Sequence, residues 1–245
     1  MATANPDYTA SDIIEEVNSL LTGGTNLSAE IMLPWISTAY QRLYAKISSV
    51  SKQAKEELFG DRADVELVAD TLEYTLTDSI PRFGGFIKVA VRYGASEDDW
   101  NPATRLLSIE YWKDLSKVST QYQAKTLPLY YQRNGLIGVI PTAVSGETDQ
   151  TPTARVWFVK RAERIDEVTD IIDIPYRFCY PIVNYVLKRT LQRVNEDYAT
   201  ADQIDRDFKE DLEEVALSVA SEFEEGIDGI EVPAGSALYD NPFNW

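Results

Sequence analysis

Apolar positions in the first fifty residues recur with helical spacing. Ser11 can cap a first helix, which Gly23 and Gly24 end, and this helix has one apolar face formed by positions 13, 14, 17, 20 and 21. Ser28 can cap a second helix, with Pro34 as a first-turn proline or a small kink. The buried stripe of this second helix comprises Met32, Ile36, Ala39, Tyr40, Leu43, Tyr44 and Ile47. We therefore expect two helices paired as an antiparallel hairpin.

The hydrophobic pattern changes between about Asp64 and Ala162. Short runs rich in β-branched and aromatic residues alternate there with turn residues, which is typical of strands. The runs are "DVELVADTLEYTL", "GFIKVAVRYG", "LYYQRNGLIGVIP" and "RVWFVKRA". Asn134 and Gly135 lie between two such runs and favour a two-residue type I′ turn. This segment predicts a small antiparallel sheet or sandwich inserted between helices.

The last third of the chain returns to helical spacing. One helix is expected from about Phe178 to Asp197, with an apolar stripe of Ile182, Val183, Val186, Leu187, Leu191 and Val194. A second is expected from Ala201 to Glu225, with a stripe of Ile204, Phe208, Leu212, Val215 and Val219. After Gly226 the chain is broken by glycine and proline and has no periodicity, yet it carries Tyr239, Phe243 and Trp245. Aromatic residues on such an arm are candidate anchors for a partner protein.

Charge is unevenly distributed along the chain. The net charge is −17, and the segment 195–231 contains fourteen acidic residues against Arg206 and Lys209. Such a surface repels phosphate, so tight nucleic-acid binding is disfavoured. The acidic helix is either a solvated face or a surface past which DNA slides. Its candidate residues toward a DNA channel or an inter-subunit seam are Asp202, Asp205, Glu213 and Glu214.

Composition excludes several kinds of chemistry. The chain has no histidine and one cysteine, Cys179, which removes histidine-based triads, histidine–zinc sites and intrachain disulfides and favours a buried structural thiol. Acidic pairs occur at Asp98–Asp99, at Asp170 and Asp173, and at Asp205 and Asp207, without the spacing of a metal site. We predict no catalytic residue, metal or cofactor, and a hydrolase using two carboxylates is an alternative without a supporting motif. The N-terminus lacks a secretory signal pattern, and no apolar run reaches about 18 residues, so we expect a soluble protein.

Four segments in this order resemble one protein family. They are an aromatic helical stripe "WISTAYQRLYAKI" (Trp35–Ile47), a hairpin "YYQRNGLIGVIPT" (Tyr130–Thr142), a strand "VWFVKRAERI" (Val156–Ile165), and "TDIIDIPYRFCYPIVNYVLKRTLQRV" (Thr169–Val194) before the acidic helix. The chain resembles the adaptor proteins of the head-to-tail connector in tailed bacteriophages, a class that includes the tail tubular A proteins. In that family the segment around Pro175 returns the chain to the helices, with Pro181 in the first helical turn.

The resemblance implies an α+β fold: a helix bundle built from the N- and C-terminal helices, an inserted small antiparallel β domain, and an extended C-terminal arm. The expected boundaries are 1–60, 61–165, 166–226 and 227–245. It implies a structural virion protein without enzymatic activity, made in the host bacterial cytoplasm. This protein would form a dodecameric ring between the portal and the tail or nozzle, through which DNA passes. The alternatives are another connector ring component, such as a stopper or tail terminator, or a binding module associated with a tail fibre.

Overall fold

The computed structural model describes residues 8–21, 27–80, 82–94, 100–106, 125–143, 151–194 and 201–224. These residues form a helical bundle and a β-sandwich, so the fold is α+β, as expected. The helices are α1 (Ala10–Leu20), α2 (Ala29–Val50), α3 (Lys52–Phe59), the short α4 (Leu76–Ser79), α5 (Tyr180–Val194) and α6 (Ala201–Glu224). The strands are β1 (Gly60–Glu66), β2 (Glu73–Thr75), β3 (Phe83–Arg92), β4 (Asn101–Pro102), β5 (Thr104–Arg105), β6 (Leu129–Arg133), β7 (Leu136–Ile140) and β8 (Thr153–Lys160).

The bundle unites helices from both ends of the chain around one apolar core. Helix α2 contributes its whole predicted stripe, from Met32 to Ile47, and each of these residues is buried. Helix α6 contributes the five predicted residues from Ile204 to Val219, which are also buried in this core. Helices α1, α3 and α5 complete it. Burial of these amphipathic faces, rather than helix propensity, is what stabilises the helices.

The β-region consists of two four-stranded sheets that enclose a second core. The first sheet has the order β1-β8-β3-β4, and the second has the order β2-β7-β6-β5. Val89, Val156 and Phe158 of the first sheet share this core with Tyr130 and Ile137 of the second. The predicted sandwich is thus confirmed, but it is not wholly antiparallel, because β5 pairs with β6 in parallel.

The β6–β7 hairpin turns at the predicted dipeptide. Asn134 and Gly135 both have positive φ, 47° and 79°, as a type I′ turn requires. The strands on the two sides of this turn, β6 and β7, pair in register from Arg133 opposite Leu136 to Leu129 opposite Ile140. The sequence therefore specified this hairpin through two residues able to adopt left-handed backbone conformations.

The start of α1 differs from the prediction. The helix is capped by Thr9 and not by Ser11. The carboxylate of Asp12 accepts hydrogen bonds from the backbone N–H of Thr9 at 2.6 Å and from its hydroxyl at 2.7 Å. This reciprocal contact resembles a capping box and moves the helix start toward the N-terminus. The pKa of Asp12 is lowered, chiefly by the hydrogen bond from the Thr9 backbone.

Other local predictions require correction. Pro34 is the sixth residue of α2, beyond the first turn. Leu20 and Leu191, expected on apolar faces, are 53% and 42% exposed, because each lies in the last turn of its helix, where packing partners end. Helix α3 was not expected as a separate element; Ser51 caps it by accepting a hydrogen bond from the Ala54 N–H at 3.0 Å.

The segment between β8 and α5 forms the corner expected from its two prolines. Pro175 precedes a single 3₁₀ turn, Tyr176–Phe178, and accepts a hydrogen bond from the Phe178 N–H at 2.8 Å. Helix α5 begins at Tyr180, two residues later than the expected start at Phe178, and Pro181 is its second residue. The expected end at Asp197 lies outside the described residues. A proline there removes no intrahelical hydrogen bond, so the chain can turn sharply and continue as a helix.

Candidate interaction surfaces

The acidic residues predicted to face a channel or seam all lie on α6, but they do not form one uniform group. Asp205 is held by Arg42 at 3.6 Å and by Arg189 at 3.1 Å. Glu213 lies 2.5 Å from Lys46. Both carboxylates therefore pair with cations of the same bundle, which partly neutralises them.

Two further carboxylates of α6 are also paired within the bundle. Asp207 accepts a hydrogen bond from Lys188 at 2.7 Å, and this contact lowers its pKa. Glu222 lies 2.5 Å from Arg177. The Lys188–Asp207 pair joins α6 to α5, and the Arg177–Glu222 pair joins α6 to the 3₁₀ turn that precedes α5. Their partly exposed positions give each pair only a modest effect on stability.

Asp202 and Glu214 point outward and join no ion pair among the residues that the structure describes. Glu214 lies beside Tyr180; burial, followed by the charge of Glu214, raises the pKa of that phenol to about 12. Of the four predicted acids, these two leave their charge most available to a partner.

An outward-facing ridge runs along α6 next to these residues. Glu210, Glu214 and Leu217 follow one another at spacings of four and three residues, which places them on one helix face. All three are exposed, and Leu217, at 72%, is the most exposed large hydrophobic side chain among the described residues. We call Glu210, Glu214 and Leu217 the acidic ridge.

A surface of opposite character lies on the first sheet. Arg62 of β1 and Lys88 of β3 are the cross-strand neighbours of Trp157 on β8. The Lys88 Nζ atom lies 4.2 Å from the centre of the Trp157 ring, a cation–π contact. Arg62 and Lys88 are exposed, and Trp157 is half-buried. We call Arg62, Lys88 and Trp157 the basic–aromatic face.

In the next row of cross-strand neighbours on the same sheet, a positive and a negative side chain neutralise each other. Arg155 donates from Nε and Nη2 to the two carboxylate oxygens of Asp64, both at 2.8 Å, and this hydrogen-bonded contact lowers the pKa of Asp64. The Arg155 guanidinium also lies 4.1 Å from the centre of the Trp100 ring. This sheet surface is not among the predicted sites, although the alternation of Arg155 and Trp157 with buried residues indicates that the two side chains share a face.

A third polar cluster joins the bundle to the sandwich. The Arg82 guanidinium forms ion pairs with Asp173 and with Glu163, the latter at 3.4 Å, and donates from Nε and Nη2 to the Arg161 carbonyl at 3.1 and 2.9 Å. Lys160 lies 3.5 Å from Asp173. Burial lowers the pKa of Arg82, but the adjacent Asp173 carboxylate raises it, and the net shift is upward. The side chains of Arg82 and Asp173 are only 20% and 15% exposed, so this cluster has a structural role and is not an exposed site.

Asp170 and the thiol of Cys179 are held by local structure. Asp170 accepts hydrogen bonds from the backbone N–H groups of Asp166 and Glu167 at 2.8 and 2.9 Å, which closes a turn. Cys179 is fully buried, and burial raises its thiol pKa to about 12, as expected for a structural residue. Asp98 and Asp99 lie outside the described residues, as do Tyr239, Phe243 and Trp245 of the predicted arm.

The part of the chain that the structure describes contains no cluster of three or more acidic or cysteine side chains placed to hold a metal ion. No helix in that part combines the length and the apolar character needed to cross a membrane.

Comparison with known proteins shows the family of this chain. A search of curated proteins returned no match. The family model described as SU10 adaptor protein matches residues 8–230, a range that includes the bundle, the sandwich and the acidic helix. Because this match covers most of the 245 residues, the chain belongs to the SU10 adaptor protein family, a family of phage head–tail adaptors.

Proposed function

We propose that this protein is a connector adaptor that forms a ring between the portal and the tail, around the channel through which DNA leaves the head. Family membership supports the coarser part of this statement: a phage structural adaptor located in the virion, in contact with head and tail components. Such adaptors are typically not enzymes. The ring, the portal contact and the channel are our extension.

The acidic character of α6 is the observation that carries the proposal. The helix contains nine acidic and two basic residues, and its apolar stripe is buried in the bundle, so the charge lies on the outer faces. Carboxylates near a DNA path repel phosphates over roughly 8–10 Å at physiological salt. DNA would then pass without being retained, which is what a conduit requires.

A charge reversal tests the channel role. We expect Asp202→Lys to slow DNA ejection, because a lysine would bind passing phosphates. Asp205 and Glu213 are kept, since lysine at either site would face Arg42, Arg189 or Lys46 and disturb the bundle. The matched control reverses the exposed Glu57, with the same change in net charge. Ejection no slower than in the control would contradict a channel-facing helix.

Cryo-electron microscopy of virions tests the ring. We expect a closed ring directly below the portal, with the twelve copies that the resemblance implies. A ring further along the tail axis would favour the stopper or tail-terminator alternative, and density on a fibre would favour the tail-fibre module. The high like-charge of each copy opposes self-association, so we expect the purified protein to form a ring only on the portal.

We further propose that the C-terminal arm docks on the portal or on a neighbouring subunit through Tyr239, Phe243 and Trp245. Loss of two such aromatic anchors costs several kcal/mol at a typical hot spot. A chain truncated after Glu231 is therefore expected to unfold at the same temperature as the full chain but to lose portal binding. A lower melting temperature would indicate that the arm packs on its own subunit, and unchanged binding would refute docking.

A further inference from the structure

The basic–aromatic face is an exception in a strongly acidic protein. The chain has a net charge of −17, yet Arg62 and Lys88 lie on either side of Trp157 and are exposed on the first sheet. The described ion pairs engage neither cation. This surface thus offers two positive charges beside a half-buried aromatic ring, which suits a partner that has an apolar side chain next to carboxylates.

The acidic ridge has that composition. Leu217 projects from α6 with 72% of its surface exposed, and Glu214 and Glu210 precede it on the same face. Neither glutamate forms an ion pair with another described residue. The exposed leucine can contact the half-buried tryptophan of the other surface. The two carboxylates, which form no ion pair with a described residue, are opposite in charge to its exposed cations.

We propose that the basic–aromatic face of one subunit docks on the acidic ridge of a second copy of this chain, with Leu217 against Trp157 and the glutamates against Arg62 and Lys88. The proposal rests on the ring proposed above and names its subunit contact. The two surfaces are different, so the contact is heterologous and leaves one face of each kind free at the ends of any open chain of subunits. Only closure into a ring satisfies every copy.

A second copy fits the basic–aromatic face better than DNA does. The same sheet surface exposes Asp64 and Glu66 next to the cations, and Arg155 is already engaged by Asp64. A phosphate backbone presents a continuous line of charge, which would meet these carboxylates as well as the cations. The ridge presents only two carboxylates, and Leu217 beside them offers an apolar contact for Trp157.

Cysteine cross-linking tests the contact directly. The one native cysteine, Cys179, is fully buried, so it should not form cross-links of its own. In assembled connectors, Lys88→Cys with Leu217→Cys should give a ladder of covalent multimers under mild oxidation. The control pairs Leu217→Cys with Arg133→Cys, which is exposed at the hairpin of the other sheet, and should remain monomeric. A ring seen by microscopy without the ladder overturns the contact and leaves the proposed function intact, whereas absence of a ring overturns both.

Charge reversal gives an independent test. One variant carries Arg62→Glu and Lys88→Glu, and the other carries Glu210→Lys and Glu214→Lys. Each alone brings like charges together and should reduce connector assembly by more than about tenfold. Mixed in equal amounts, the two should assemble again, because alternating copies restore opposite charges at every contact. Unreduced assembly of either variant overturns the proposal, as does a mixture no better than its parts. Binding of duplex DNA at physiological salt that the first variant abolishes would assign the face to DNA instead.

Discussion

Replacement of Asp173 by asparagine tests whether the polar cluster between the bundle and the sandwich stabilises the fold. The carboxylate is 15% exposed and neutralises Arg82, which is 20% exposed, while Lys160 lies 3.5 Å away. Asparagine keeps the shape of the side chain but removes its charge. Two cations then remain close together in a site with little access to water, and among the described residues Arg82 retains the exposed Glu163 as its ion-pair partner.

The magnitude follows from the exposure of the pair. Fully exposed ion pairs contribute about 0.2–1 kcal/mol, whereas removal of one partner from a buried pair costs about 3–5 kcal/mol. The intermediate burial of Asp173 places the loss at about 2–3 kcal/mol. For a chain of this size, each kcal/mol corresponds to roughly 2–4 °C. We therefore expect the melting temperature of Asp173→Asn to fall by about 5–10 °C.

Thermal unfolding followed by circular dichroism at neutral pH provides the measurement. The matched control is Asp166→Asn, whose partner Arg164 lies at 2.8 Å in a pair that is 73% and 64% exposed. That substitution should cost less than about 0.5 kcal/mol. If Asp173→Asn destabilises the protein no more than Asp166→Asn does, the cluster does not stabilise the fold and the reasoning from burial is wrong.

Three further predictions concern single residues. Cys179 should not react with a thiol reagent at pH 8 in the folded protein, because burial raises its pKa to about 12; reaction at the rate of a free thiol would contradict its burial. Gly138→Ala should destabilise the protein by about 1–3 kcal/mol in urea unfolding, because the added Cβ would overlap the buried Tyr131 ring, whereas Gly85→Ala, with open space around it, should be nearly neutral. The hydrogen bond from Arg155 lowers the pKa of Asp64 below its ordinary value of 3.8, so its contribution to stability is complete above that pH and is lost as the pH falls through the lower folded-state pKa. Asp64→Asn should accordingly flatten the acid side of a stability–pH curve, and an unchanged acid side would refute this contribution.

Local patterns in the sequence were sufficient for the elements that bury one continuous stripe. Helices α2 and α6 follow the predicted periodicity, since each stripe from Met32 to Ile47 and from Ile204 to Val219 is wide enough to specify one buried face. The β6–β7 hairpin also follows from sequence, because Asn134 and Gly135 restrict the turn to one type. In these cases the information lies within a few residues.

The elements and contacts that sequence reasoning missed depend on residues far apart in the chain. Periodicity placed Asp205 and Glu213 away from the apolar stripe, but it could not identify Arg42, Arg189 and Lys46 as their partners on other helices. The basic–aromatic face was missed for the same reason: Arg62 and Lys88 meet Trp157 only through strand pairing. The residues at which a helix begins and ends, such as Thr9 and Leu20, are determined by one or two hydrogen bonds or contacts. Periodicity does not resolve such contacts.

The strand order of the first sheet constrains how the protein can fold as it is made. Strand β8 is the last of the sandwich in sequence but lies between β1 and β3, so neither of those strands has its main partner until residue 160 has been synthesised. The bundle can be completed only later, because α2 ends at Val50 and packs against α6, which ends at Glu224. At about 5–20 residues per second, that interval is roughly 10–35 s. During this time the nascent chain exposes the stripe of α2 and unpaired strand edges, which favours contact with chaperones before the fold is complete.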